Sequence, residues 1–139
     1  MKQHQASITV RTRGRGLVDV TPEVQAAVRA SGVRTGLAVV FCRHTSCSLV
    51  IQENADPGAR RDVERFLERL APEGDPAYEH VAEGLDDAPS HLRSAVTRTS
   101  ESIPVAGGVL ALGTWQALWL CEHRVRPHAR TLLVHVTGE

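Results

Sequence analysis

Aromatic side chains and net charge are what this sequence has least of. Only 4% of its 139 residues are Phe, Trp or Tyr, and 16 basic residues balance 16 acidic ones. A net charge of zero provides no field that would attract nucleic acid, and the chain has no acidic tail. We therefore expect no nucleic-acid partner.

Long apolar runs are also missing. No run approaches the roughly 20 residues that a membrane-spanning helix needs. The first residues, Met1–Gln5, are polar, and no apolar segment of a secretory signal follows them. The predicted location is cytoplasmic, with no membrane association. The length predicts a single domain, residues 1–139, with one core.

Cysteine is scarce and is not arranged for metal binding. Cys42, Cys47 and Cys121 are an odd number, and no two of them form a C-x-x-C pair. All three lie inside apolar runs, which favours buried free thiols over disulfides.

Three segments carry the signals that start helices. Thr21 precedes Pro22 and would cap the first helix, and Asp56 precedes Pro57 and would cap the second. A third helix is predicted to begin at Pro89. The apolar faces of the second and third helices would consist of Val63, Phe66, Leu67 and Leu70, and of Leu92, Ala95 and Val96, respectively.

The remaining apolar segments are short and predict strands that mostly come in adjacent pairs. Strands therefore outnumber helices. The predicted fold class is α+β: a single domain with a mainly antiparallel β-sheet and helices packed on one side.

The stretch Tyr78–Leu92 concentrates titratable side chains. It contains two histidines and four carboxylates but no Lys or Arg. Histidine titrates near neutral pH and carboxylates near pH 4, so such a segment can hold a metal ion or move a proton. The alternative is a solvated acidic loop that leads into a helix.

A second polar break, His44-Thr45-Ser46, separates two apolar runs. Breaks of this kind lie at the surface, where side chains are available for chemistry. The spacing is not that of a Ser-His-Asp nucleophile motif, so the break alone identifies no reaction.

Four fragments occur together in this chain. They are His44-Thr45-Ser46 with Glu53-Asn54-Ala55-Asp56-Pro57, Tyr78-Glu79-His80 with Glu83-Gly84, Pro89-Ser90-His91-Leu92, and Gly113-Thr114-Trp115-Gln116 with Cys121-Glu122. In this order and spacing the sequence resembles the YjbQ-like family, also called uncharacterised protein family 0047, from about Ala6 to Glu139.

The resemblance implies an α+β protein that assembles as a homotrimer. It also implies a secondary thiamine-phosphate synthase activity, which joins a pyrimidine diphosphate to a thiazole phosphate with loss of pyrophosphate. The expected small-molecule partner is accordingly a phosphorylated metabolite.

Site residues follow from placing this chemistry on the four fragments. The expected catalytic residues are His44, His80, His91 and Asp87, and the three histidines are also the candidate metal ligands, with Glu83, Asp86 or Asp87 as the carboxylate beside them. The expected ligand- and phosphate-binding residues are Ser46, Asn54, Ser90, Thr114, Trp115 and Gln116. A divalent metal is expected: histidines suit zinc, whereas magnesium would rely on the carboxylates.

Two other functions use the same residues. One is a metal-dependent hydrolase of a phosphorylated metabolite, and the other is a trimer that binds a small anion or metabolite without catalysis. The histidines would have a structural role instead if they form hydrogen bonds between subunits and only hold the trimer together.

Overall fold

The computed structural model describes all 139 residues and contains eight strands and three helices. The strands are β1 (Lys2–Arg11), β2 (Gly16–Asp19), β3 (Thr35–Cys42), β4 (Cys47–Glu53), β5 (Ser100–Ala106), β6 (Val109–Leu110), β7 (Gln116–Glu122) and β8 (Ala129–Gly138). The helices are α1 (Thr21–Ser31), α2 (Pro57–Leu70) and α3 (Asp87–Val96). None of the helices combines the length and apolar composition that a membrane crossing requires.

The strands form two sheets, and all of their pairings are antiparallel. The larger sheet has the order β1-β8-β3-β5-β6 and the smaller one the order β2-β7-β4. The predicted α+β class is confirmed, but the strands are divided between two sheets rather than joined in one. The division falls at the polar break Arg43–Ser46, because β3 belongs to the larger sheet and β4 to the smaller.

One apolar core joins the two sheets to α1. Val40 and Val134 come from the larger sheet, Leu49 and Leu120 from the smaller, and Val28 from α1, and all five are fully buried. Burial of a side chain of this size contributes about 1.5–3 kcal/mol relative to its exposure. The core therefore fixes the smaller sheet, and the loops at its ends, against the larger one.

The helix starts agree in part with the prediction. Asp56 caps α2, since its Oδ1 accepts a hydrogen bond of 2.8 Å from the backbone N–H of Gly58. Thr21 does not cap α1 but is its first residue. Its hydroxyl instead accepts a hydrogen bond of 2.8 Å from the N–H of Leu118 in β7.

The apolar faces predicted for α2 and α3 are only partly buried. In α2, Val63 and Leu67 are half-buried, while Phe66 and Leu70 are exposed.

The prediction for α3 is wrong, because Ala95 is exposed and so are Leu92 (46%) and Val96 (60%). The side chain that points inward is that of Arg93, which is only 2% exposed. It donates hydrogen bonds to the carbonyls of Leu67 (3.1 Å) and Ala71 (2.7 Å) at the end of α2. These carbonyls lie at the negative end of the α2 dipole and stabilise the buried cation. The contacts of Arg93 therefore determine which side of α3 faces the protein interior.

Candidate functional site

Three side chains of the stretch Tyr78–Leu92 converge at the start of α3. The Oδ2 atom of Asp87 lies 2.5 Å from Nε2 of His80 and 3.1 Å from Nε2 of His91. Each of the three residues offers one ligand atom, and these atoms all lie within 4.8 Å of one another. This spacing is close enough for the three groups to bind one metal ion.

Local structure explains how the three groups meet. Asp87 and His91 are four residues apart on α3 and therefore share one face of the helix. His80 comes from the irregular segment between α2 and α3, and its ring centroid lies 5.3 Å from that of His91. The hydroxyl of Tyr78 donates a hydrogen bond of 2.7 Å to the carbonyl of Pro72 and ties this segment to the end of α2.

The N-terminus of α3 lies earlier in the chain than predicted, and this places negative charge in its first turn. The helix begins at Asp87 rather than at Pro89, and Asp86 precedes it. Two carboxylates therefore stand where the free amides of the first turn would attract an anion. Pro89 has no N–H, and the N–H of Ser90 already donates to the carbonyl of Asp86 at 3.1 Å. This end of α3 favours a cation over a phosphate group.

Arg124, directly beyond β7, supports the carboxylates from behind. Its guanidinium donates to Oδ1 of Asp87 at 2.7 Å, to Oδ2 of Asp86 at 3.0 Å and to the carbonyl of Glu83 at 3.2 Å. Burial alone would raise the pKa of Asp87. The hydrogen bond with His80 and the charges of His91 and Arg124 outweigh burial and hold this pKa below its ordinary value. Asp87 is therefore a carboxylate at neutral pH.

The proton arrangement of His91 follows from its two neighbours. Nδ1 lies 2.9 Å from the carbonyl oxygen of Thr45, which can only accept, so Nδ1 carries a hydrogen. Nε2 faces the carboxylate of Asp87, which is also only an acceptor. Nε2 must therefore either carry a second proton or share a cation with Asp87. The arrangement is suited to hold a proton or a metal ion.

Two imidazoles and one carboxylate are a donor set that proteins use for transition metals. Zinc binds histidine nitrogen and carboxylate oxygen, and three protein ligands leave a position for water or substrate. The same set suits other imidazole-binding ions. Magnesium prefers oxygen ligands and fits less well.

His44 does not belong to this group of ligand atoms. Its Nε2 accepts a hydrogen bond of 2.8 Å from the backbone N–H of Thr131. Burial, followed by the charge of Arg130, lowers the pKa of His44, so the ring is neutral. An open groove of about 500 Å³ nevertheless joins it to the site, and this groove is lined by His44, Thr45, His91, Ser94, Ala95 and Thr99. His44 is placed to contact a molecule that lies beside His91.

The hydroxyl groups predicted to bind phosphate have partners within the protein. Ser46 accepts a hydrogen bond of 3.0 Å from Arg130 through its Oγ. Ser90 is fully buried, and its hydroxyl bonds to the carbonyls of Asp86 (2.5 Å) and His123 (2.9 Å). Ser90 therefore connects the start of α3 to the end of β7, a structural role.

The other predicted ligand-binding residues form a separate group. Asn54 donates to the carbonyls of Thr114 (3.2 Å) and Gln116 (3.3 Å), and Oε1 of Gln116 accepts from the N–H of Gly113 at 2.8 Å. Trp115 stands out from the surface with 64% of its side chain exposed.

This group lies at the far end of the smaller sheet. In the β4–β7 pairing, Glu53 opposes Gln116 at one end and Cys47 opposes Glu122 at the other, next to the histidine site. Six residue steps of about 3.3 Å separate the two ends by roughly 20 Å. One chain does not bring the Asn54–Trp115 group to the His80–Asp87–His91 site.

Arg124 and the carbonyl of Thr45 belong to the site and were not predicted from the sequence. The neighbouring His123 contacts Ser48 rather than the site. His123 is buried and lies 2.8 Å from the hydroxyl of Ser48, and burial lowers its pKa to about 3. The only local signal for Arg124 was the polar run Glu122-His123-Arg124 at the end of a buried strand. Strand ends commonly carry functional groups, but that signal does not indicate their partners.

The fold and this site define a class of protein. It is an α+β domain with two antiparallel sheets and a histidine–carboxylate cluster at the start of one helix. A family model described as UPF0047 protein YjbQ-like matches residues 6–139. The chain belongs to the YjbQ-like family.

Individual relatives agree with this assignment. The chain is 53% identical to the UPF0047 protein sll1880 of Synechocystis, over 99% of this chain and 94% of that protein. It is 42% identical to the UPF0047 protein YjbQ of Salmonella typhimurium, over 98% of this chain and 99% of that protein.

Solved structures show the same fold. A hypothetical protein from Aeropyrum pernix superposes with a TM-score of 0.88 at 33% identity, over 97% of this chain and 98% of that one. An uncharacterised YjbQ/UPF0047 protein from Clostridium acetobutylicum gives a TM-score of 0.87 at 36% identity, over 95% and 99% of the two chains.

Proposed function

We propose that this protein is a metal-dependent enzyme that acts on a small phosphorylated metabolite. The proposal rests on two acceptor atoms that face each other, Nε2 of His91 and Oδ2 of Asp87. With the hydrogen of His91 directed to Thr45, Nε2 and Oδ2 face each other at 3.1 Å across a position suited to a cation. The nearby Nε2 of His80 supplies a third ligand atom.

The reaction proposed for this site is that of a thiamine-phosphate synthase. The bond between the pyrimidine methylene carbon and the diphosphate oxygen breaks, pyrophosphate leaves, and the thiazole nitrogen forms a new bond to that carbon. A divalent ion held by the three side chains would neutralise charge on the leaving pyrophosphate.

The protein's own residues would position the reactants. The groove along His44, Thr45 and Thr99 would hold the organic part of the substrate next to His91. Arg124 keeps Asp87 ionised and in place, since it donates to Oδ1 and leaves Oδ2 directed at the histidines. Fixing the reacting groups in this way removes part of the entropic barrier.

An assay with both precursors tests this function. The purified protein is incubated with the pyrimidine diphosphate and the thiazole phosphate, with zinc or magnesium supplied, and thiamine phosphate is measured. We expect product from the wild type and a loss of at least about 100-fold in the Asp87→Asn variant. His135→Gln is the matched control, since His135 lies on β8 and contacts Gln5. No product at high enzyme concentration would overturn the proposal.

A metal-dependent phosphate-ester hydrolase is the second candidate. The observation that favours it is the openness of the groove beside His91, which leaves the site accessible to water. Rates on a panel of phosphate esters separate the two functions. A rate on any ester that equals or exceeds the rate on the thiamine precursors would assign hydrolysis as the main activity.

We also propose that the protein assembles as a homotrimer, as the family resemblance implies. Exposed apolar side chains support an assembly: Phe41 is 46% exposed on β3, and Leu92 and Val96 are exposed on α3. Phe41 borders a groove that also contains His44, and Leu92 is adjacent to His91 in sequence. Analytical ultracentrifugation tests the proposal, and a monomer at micromolar concentration would overturn it.

A further inference from the structure

Two thiols lie close together at the point where the chain passes between the sheets. Cys42 ends β3 and Cys47 begins β4, and their Sγ atoms are 3.4 Å apart. Both residues are 1% exposed and neither is in a disulfide. The third cysteine, Cys121, lies on β7 and has no sulfur contact of this kind.

The surroundings of the pair differ between the two sulfurs. The hydrogen bond with Cys47, the N–H of His44 and the charge of Arg130 lower the pKa of Cys42, although burial opposes them. The same hydrogen bond, together with burial, raises the pKa of Cys47. Burial raises the pKa of Cys121 to about 12. Cys42 is the member of the pair that lines the open groove beside His44, so we assign it as the first thiol to react.

We propose that Cys42 and Cys47 are a redox modification site and form a reversible intramolecular disulfide on exposure to a peroxide. The sulfur atoms need to approach from 3.4 Å to the disulfide bond length of about 2.05 Å. Cys42 is only 1% exposed, but it lies in the wall of an open groove with Phe41, His44 and Thr99, and the proposal requires a small oxidant to approach from this side.

The reaction has two balanced steps. The Cys42 thiolate attacks one oxygen of hydrogen peroxide, which gives a sulfenic acid and hydroxide. The sulfur of Cys47 then attacks the sulfur of Cys42, so that a disulfide forms and the sulfenic hydroxyl leaves as water with the thiol proton. Once Cys42 is a neutral sulfenic acid, the neighbouring thiolate that opposes ionisation of Cys47 is gone.

The disulfide would restrain the loop Arg43–Ser46, because the two cysteines flank it directly. This loop carries His44 and the carbonyl of Thr45 that accepts from His91. The influence on the site rests on the proposed function, whereas formation of the disulfide does not.

The test is mass spectrometry of the full-length protein after treatment with hydrogen peroxide. We expect a mass lower by two hydrogens, a linked Cys42–Cys47 peptide, and one titratable thiol where the reduced chain has three. Dithiothreitol should restore all three. Hydrogen exchange should become slower at the amides of Arg43–Ser46 in the oxidised form, and unchanged exchange would contradict the restraint of the loop.

Two variants identify the order of reaction. Cys121→Ser is the matched control and should form the disulfide as the wild type does. In Cys47→Ser the sulfenic acid at Cys42 has no partner, so dimedone should label Cys42. Absence of that label would overturn the role of Cys42 as the first thiol to react. Oxidation of Cys121 before Cys42, or oxidation of Cys42 beyond the sulfenic acid without a linked peptide, would overturn the proposal.

Discussion

Arg124 holds one oxygen of Asp87 and leaves the other to the histidines. It donates to Oδ1 at 2.7 Å, while Oδ2 lies 2.5 Å from His80 and 3.1 Å from His91. The carboxylate is thus oriented from outside the site. Groups that orient metal ligands in this way typically contribute 10- to 100-fold, about 1–3 kcal/mol, to metal affinity.

Replacement of Arg124 by Gln should weaken zinc binding by about 10-fold. The loss of orientation at Asp87 and Asp86 should outweigh the removal of a nearby positive charge, because the guanidinium contacts both carboxylates and the carbonyl of Glu83. Isothermal titration calorimetry measures the change. Arg126→Gln, an exposed arginine in the same loop, is the control. Unchanged or tighter binding in Arg124→Gln would show that Arg124 does not position Asp87.

Single substitutions test which three side chains bind the metal ion. His80→Ala, Asp87→Asn and His91→Ala should each reduce zinc affinity by more than about 10-fold, since each removes one donor of the cluster. His44→Gln should bind zinc as the wild type does, because Nε2 of His44 is occupied by the N–H of Thr131. An equal loss in His44→Gln and His91→Ala would instead support a site of three histidines.

The closeness of His80, Asp87 and His91 was predictable because all three lie in one stretch of 15 residues. The α+β class and the cap at Asp56 were also predictable, since they depend on apolar patterning and on an Asp-Pro pair. These features arise from contacts that are local in sequence. They do not require knowledge of which strands are neighbours.

The features that could not be predicted depend on contacts between residues that are far apart in the sequence. Arg124 and Thr45 reach the site from the end of β7 and from the β3–β4 loop, so nothing near Asp87 in sequence indicates them. The rotation of α3 depends on Arg93, whose partners are carbonyls of α2. The separation of Trp115 from the histidines follows from the register of β4 and β7.

Stability should depend on pH through His123. Burial lowers its pKa to about 3, whereas an unfolded histidine titrates near about 6.5. Between these values the unfolded chain binds a proton that the folded chain does not, so stability falls as the pH falls through this window. The slope contributed by one such group is at most about 1.4 kcal/mol per pH unit.

His123→Gln should make this dependence shallower, because glutamine does not titrate and retains an acceptor for the hydroxyl of Ser48. Urea unfolding at about pH 7, 6 and 5 measures it, and we expect wild type to lose about 1 kcal/mol per pH unit more than the variant. Glu122, whose pKa is lowered mainly by Arg130 against the effect of burial, contributes a loss at lower pH in both proteins. Parallel curves would show that the folded protein takes up the His123 proton over the same pH range as the unfolded chain, and that burial does not lower this pKa.

The last prediction is that each active site contains residues from two neighbouring subunits. Within one chain the Asn54–Trp115 group lies roughly 20 Å from the histidines, yet Trp115 is exposed and available to a neighbouring copy. If the proposed trimer places this group of one subunit at the His91 site of the next, His91→Ala and Trp115→Ala should each abolish thiamine-phosphate formation. Trimers refolded from an equal mixture of the two variants should then recover activity, because some interfaces contain neither substitution.

The control for the mixing experiment is a pair of variants whose substitutions both lie in the histidine–carboxylate cluster. His91→Ala mixed with Asp87→Asn should stay inactive, because both substitutions affect the same ligand cluster and every site contains one of them. Recovery in the first mixture but not in the second would assign the two groups to different subunits. If Trp115→Ala alone retains full activity, the Trp115 group has no part in the reaction, and each site is built from the His80–Asp87–His91 cluster of one chain.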